Sequence, residues 1–218
     1  MSVRRTTAVA AVATATAAAL AAAPAQAHDH RAQSAPAPAP ASLAAVLDAD
    51  GDRFDRNPKD FDVVDRAVRT VLGAKPDSAV AVLADGSTAV TAFLPNDVAF
   101  KRLVTDLTGE EPATERAAFD AVASLGVDTV ETVLLYHVVP GDAITLAQAR
   151  RADGAELATA QGGVLTVDVR GTGKASTVKL VDLDPDAANP QVNKKVRDIR
   201  AGEQIAHSIG RVLRPVDL

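Results

Sequence analysis

The chain has 218 residues, a formal net charge of −5 and no cysteine. The acidic balance argues against nucleic acid or an anionic lipid surface as partner. Without cysteine there is neither a disulfide framework nor a lipid-modified thiol, so stability must come from a core of Val, Leu and Ala.

Residues 1–27 read as a secretory leader: Arg4 and Arg5, then an uncharged Ala/Val/Leu/Thr stretch over 8–23, then Ala25-Gln26-Ala27 as a cleavage site. That stretch is short and weakly apolar beside the ~20 strongly apolar residues of a bilayer span, so no membrane span is expected. The protein is expected to be secreted, extracellular or wall-associated, and export by the general or the twin-arginine route stays open. Losing the leader removes two Arg and no acid, which makes the remaining chain more acidic still. Cleavage would expose His28-Asp29-His30, an amine with His at position three. The amine, two amides and the His30 imidazole can form a square-planar nitrogen set suited to Cu(II) or Ni(II); the alternative is an incidental cleavage flank. Residues 28–41, rich in Ala and Pro, read as a semi-extended linker. Residues 42–218 then make one domain.

Ser42 can cap a short helix carrying Leu43, Val46 and Leu47. The acidic run from Asp48 to Asp55 has Gly51 at the fourth position and Lys59 at the twelfth, so it fails as a calcium loop and reads as a solvated turn. Asp60 is the expected cap of a helix burying Phe61, Val64, Val68 and Leu72. Residues 79–84 and 88–94 read as two strands of a hairpin around Asp85-Gly86. Pro95 then makes a corner, with Asn96 or Asp97 as the cap of a helix whose Phe100, Leu103, Val104 and Leu107 form one stripe. Thr114 can cap a helix with Phe119, Val122 and Leu125, and Asp128 to Glu131 has capping-box spacing for a helix through Leu134 and Leu135. Pro140-Gly141 turns the chain, and Thr145 can cap a short helix to about Arg151. Beyond it the pattern alternates over 164–169 and 178–183, a polar loop follows at 182–195, and 196–200 and 205–213 read as the closing strands. Strands that pair early against late, with helices between, predict an α+β domain.

Three stretches carry a resemblance. Thr91-Ala92-Phe93-Leu94-Pro95-Asn96-Asp97-Val98-Ala99-Phe100 is similar to the first signature box of the fasciclin-type domain. Leu134-Leu135-Tyr136-His137-Val138-Val139-Pro140 resembles the central Tyr-His segment of that family, and the stretch from Ile205 to Pro215 its second box. The chain departs from the second box at Glu203-Gln204 and at Gly210. The resemblance implies a β-sandwich-like wedge with helices packed on one side. It also implies an extracellular, non-enzymatic binding or adhesion module at the cell surface. Its partners would be a matrix or wall polysaccharide, another surface protein, or a second copy of itself.

On that resemblance, contact is expected at Pro95, Asn96, Asp97, Tyr136 and His137, while Thr91, Phe93, Phe100, His207 and Ile209 are expected as the structural core of the boxes. The residues themselves pose a choice. A buried Tyr136-His137 pair needs hydrogen-bond partners; the competing reading is a binding or catalytic His, but no nucleophile or carboxylate stands at a recognisable spacing. His207 shares a strand face with Ile205 and Ile209, which points it inward. The two imidazoles would lack a third metal ligand. Ser208 beside His207 sits in a plain strand pattern without a nucleophile elbow. Asp182, Asp184 and Asp186 read as a solvated acidic loop, and Lys194-Lys195 and Arg150-Arg151 as solvated charge pairs. No cofactor is expected.

Overall fold

The computed structural model describes residues 41–216, apart from 50, 52 and 56. The leader, nearly all of the linker, and the His28 and His30 metal site lie outside the described residues.

Among the described residues, six α-helices and seven strands build the domain: α1 (Leu43–Asp48), α2 (Asp62–Ala74), β1 (Val90–Pro95), α3 (Asp97–Thr108), α4 (Glu115–Ala123), α5 (Val127–Tyr136), β2 (Val138–Pro140), α6 (Leu146–Ala149), β3 (Glu156–Ala158), β4 (Val164–Arg170), β5 (Thr177–Val181), β6 (Ile199–Ala201) and β7 (Gln204–Ile209). The first sheet has the order β2-β1-β7-β6 and the second the order β3-β4-β5. In the first, β1 pairs antiparallel with β2 and parallel with β7, in a register that sets Phe93 opposite His207. Both β1 and β7 are buried at every residue, as strands covered on two faces must be.

Two apolar clusters explain why. Ala92, Leu94 and Ala206 face helices α1 to α5, in a cluster with Val64, Val68, Phe100, Leu103 and Leu134. Phe93, Ile209 and Leu213 face the second sheet, packed with Leu165, Val167, Val178 and Leu180. The result is an α+β architecture of helices, sheet and second sheet, layered as the alternation within β1 dictates.

The caps expected at Ser42, Asn96, Thr114 and Thr145 all form. Three local expectations give way to tertiary structure. Residues 79–84 form a 3-10 helix, not a strand. Both hydrogen-bonding edges of β1 are taken by β2 and β7, so no edge is left for a hairpin partner, and Val80 and Leu83 are buried at the three-residue spacing of a tight helix. Asp60 does not cap α2; the amide of Val63 is met instead by the carboxylate of Asp97, 34 residues on. Helix α5 starts one residue before Asp128, after Gly126 at φ 91°, and Asp128 and Glu131 instead pair with Lys75. The reading of Asp182, Asp184 and Asp186 as a solvated acidic loop also fails at Asp184, which is buried, with its carboxylate 3.1 Å from the guanidinium of Arg214. Leu107 and Leu125 end their helical stripes outside the core.

Candidate functional site

The three sequence boxes meet at one place. The β1–β7 pairing brings the Phe93 and His207 rings to 6.0 Å between centroids, and Phe93, Tyr136 and Ile209 share one apolar cluster. The polar side chains of Tyr136, His137 and His207 have their partners. The Tyr136 hydroxyl donates to the Val164 carbonyl at 2.9 Å, and burial, reinforced by the charge of Asp182, pushes the phenol up to about 12. Nδ1 of His137 lies 2.7 Å from the Val133 carbonyl, and its Nε2 accepts from the Leu213 amide at 2.9 Å. A carbonyl can only accept and an amide only donate, so the ring is neutral with its proton on Nδ1. Full burial holds its pKa down at about 4. His207 takes the opposite tautomer: Nε2 donates to the Ile144 carbonyl and Nδ1 accepts from the Asp198 amide. Burial lowers its pKa as well.

Neither imidazole therefore has a nitrogen to spare for a metal or for proton transfer. The Thr91 hydroxyl is also fully used, donating to the Asp142 carbonyl and accepting from the Ile144 amide. Gln204, the departure from the family pattern, is completely buried and joins three elements. Its carbonyl oxygen accepts from the Leu43 amide, and its nitrogen donates to the carbonyls of Val82 and Asp85.

At the Pro95 corner the Asn96 side chain accepts from the Ala99 amide, and the Asn96 amide donates to the Ile209 carbonyl. The Asp97 and Val98 amides donate to the carbonyls of Asp60 and Pro58, so the strap at 58–60 closes the start of α3. Pro95, Asn96, Asp97, Tyr136 and His137 are all buried. Within this fold these side chains bind the interior together and hold the segments around them in place. Thr91, Phe93, Phe100, His207 and Ile209 are buried too.

What they hold is the segment just beyond β7. The Ile209 carbonyl is fixed by Asn96 and the Leu213 amide by His137, and between them Gly210 and Arg211 form one wall of a groove of about 590 Å³. Lys179, Lys194 and Arg102 complete its cationic lining, with the amide side chains of Asn189, Gln191 and Asn193. Arg102 donates to the Gly210 carbonyl at 2.7 Å, and Lys194 to the Ala175 carbonyl at 2.6 Å. Sequence reading missed this groove, because its four cations come from 102, 179, 194 and 211 and no local pattern joins them. Between the sheets, Phe93, His207, Leu146 and Val167 line an apolar cavity of only about 30 Å³, enough for about one water molecule.

A second cluster lies at the corner, on its other flank. Burial raises the Asp97 carboxyl to about 8, aided by the neighbouring Asp60 carboxylate. Glu115 is raised by burial and by the charges of Asp60 and Asp55.

The family model of the fasciclin domain matches residues 70–215. None of the curated proteins compared matches the chain. Among solved structures, the chain is similar to a FAS1 domain pair from the insect cell adhesion molecule fasciclin I. The likeness has 20% identity and a TM-score of 0.44, and covers 67% of this chain and 45% of that one.

Proposed function

The chain belongs to the fasciclin domain family, a family of adhesion and binding modules, and from that premise we propose that it is a secreted, non-catalytic adhesion module gripping an anionic polysaccharide of the matrix or wall. In this reading residues 1–27 are removed on export, 28–41 space the domain from its exit point, and 42–218 form the binding unit. The observation that carries the proposal is the groove. Four cations and three amide side chains line one open channel on a chain whose net charge is −5. Amides match sugar hydroxyls in both donor and acceptor roles, and Lys and Arg match carboxylate or phosphate groups. Non-catalytic action is supported by the wiring of both imidazoles to backbone groups.

The box residues act from inside. Asn96 and His137 fix the two ends of the segment that carries Arg211, so Pro95, Asn96, Asp97, Tyr136 and His137 serve binding by holding the groove's edge. Co-sedimentation of the leader-free protein with acidic wall or matrix polysaccharide tests this. Binding should weaken with salt, and Lys179→Glu with Lys194→Glu should reduce it about tenfold, the effect of roughly 1.4 kcal/mol. Retention unaffected by both changes would refute the groove. Sedimentation velocity of the same samples separates the competing outcome, self-association.

A further inference from the structure

Where three helices begin, five carboxylates converge. Asp62, Asp97 and Glu115 are the first residues of α2, α3 and α4. One oxygen from each of Asp60, Asp62 and Asp97 lies within 4.8 Å of the others, and Asp55, Asp62 and Glu115 make a second group to the same limit. Asp62 is common to both.

Acids at helix starts have an ordinary explanation, since they accept from first-turn amides and suit the positive end of the helix dipole. It accounts for only part of this cluster. Asp97 Oδ1 accepts from the Val63 amide, and Asp62 Oδ2 from the Asp55 amide. The start of α3 needs no further acceptor: the amides of Asp97 and Val98 are met by the strap at 58–60, and those of Ala99 and Phe100 by Asn96. Asp60 has no such task. It is 8% exposed, and among the described residues neither of its carboxylate oxygens has a donor; Asp97 Oδ2 and Glu115 Oε2 are buried in the same condition. Leaving polar oxygens of this kind buried without a partner is costly. Lys101 attracts Glu115, while Arg66 and Arg116 lie over the Phe54 ring at 5.7 and 5.0 Å. Among the described residues no cation donates to the Asp60 oxygens.

We infer that Asp60, Asp62 and Asp97, flanked by Asp55 and Glu115, form a binding site for a hard divalent cation, with Ca²⁺ the ion that fits. Every donor is an oxygen, which disfavours the metals that seek imidazole or thiolate. Ca²⁺ accepts six to eight oxygens in irregular arrangements, carbonyls and water included, whereas Mg²⁺ demands a near-ideal octahedron. The ion would clamp the 58–62 strap onto the starts of three helices, and so onto the corner that Asn96 ties to β7. The site does not depend on what the groove binds.

The test is thermal unfolding and calorimetric titration of the full chain, prepared in EDTA and then given about 1–10 mM CaCl₂, the range of weak extracellular sites. At a hundredfold excess over Kd, a single site should raise Tm by roughly 5–10 °C. Asp60→Asn should abolish that rise while leaving Tm in EDTA unchanged or higher, because the wild-type carboxylate makes no hydrogen bond that the change removes. Asp186→Ala, in an exposed loop, should keep the full response. Absence of heat and of any Tm rise in the wild type would overturn the inference, and so would a Ca²⁺ response that survives in Asp60→Asn. A fall in the EDTA Tm of Asp60→Asn would assign Asp60 to the scaffold and equally overturn it.

Discussion

Two buried polar clusters lie on either side of the Pro95 corner, and their hydrogen bonding is opposite. The polar side chains of Tyr136, His137, His207 and Thr91 each meet backbone groups of complementary kind. Around Asp60, Asp97 and Glu115, four buried carboxylate oxygens meet no donor among the described residues. A satisfied buried network rigidifies and specifies a fold. An unsatisfied one stores a cost that some further partner must relieve. Histidines invite a functional reading in a sequence and aspartates a structural one; here the environment reverses both.

The sharpest way to break the satisfied side is at Gln204. Gln204→Leu keeps the volume but leaves the Leu43 amide and the carbonyls of Val82 and Asp85 without their partner. Stability should fall by about 3–5 kcal/mol, as expected for several orphaned buried groups. Chemical denaturation would show this as a lower midpoint at unchanged slope, and a loss below about 1 kcal/mol would mean the residue does not join those elements.

His137 gives the next effect, and pH reveals it. An unfolded imidazole takes a proton near pH 6.5 and this folded one only near 4. Between those values the unfolded state binds more protons, so stability falls as pH drops from 6.5 towards 4, by about 3 kcal/mol in total. The acidic cluster has the opposite sign. The Asp97 carboxyl is raised from an ordinary value near 3.8 to about 8, so its share of stability is lost as pH rises across that interval. In EDTA, Asp97→Asn should flatten the alkaline arm and leave the acid arm intact. Carbon and nitrogen NMR shifts of the His137 ring should report the Nδ1–H tautomer at pH 7, and a ring that titrates near 6.5 would contradict the assigned bonds. His137→Ala should lower Tm in proportion to these lost contacts.

Thr91→Val makes the smallest change on the satisfied side. It keeps the shape of a fully buried residue and removes only the bonds to Asp142 and Ile144, for about 1–2 kcal/mol. Wild-type stability there would show that the 142–144 segment is held by packing alone.

How much of this could be read in advance differs by kind of interaction. The caps at Ser42, Asn96, Thr114 and Thr145 and the stripe of Phe100, Leu103 and Val104 were legible, because each depends on residues within one or two turns. The three boxes were legible as a family resemblance, and their convergence on Phe93, Tyr136 and His207 follows from the fold that the resemblance implies. The hairpin over 79–94 was misread because a local alternation says nothing of which edge is already occupied. β7, more than a hundred residues later, takes that edge. Asp60 was misread as a cap for the same reason, since the amide it would have served is met by Asp97.

By itself, the amino-acid sequence determined the α+β class, the caps of α1, α3, α4 and α6 and the shared face of Ile205, His207 and Ile209, since these rest on neighbouring residues and on periodicity. Only the tertiary structure decided which polar groups are satisfied. It turned the Tyr136-His137 segment into a frame, assembled four distant cations into a groove, and gathered five carboxylates where α2, α3 and α4 begin. The physical reason is that hydrogen-bond partnership and charge crowding depend on distance in space, and here the deciding contacts join residues tens of positions apart.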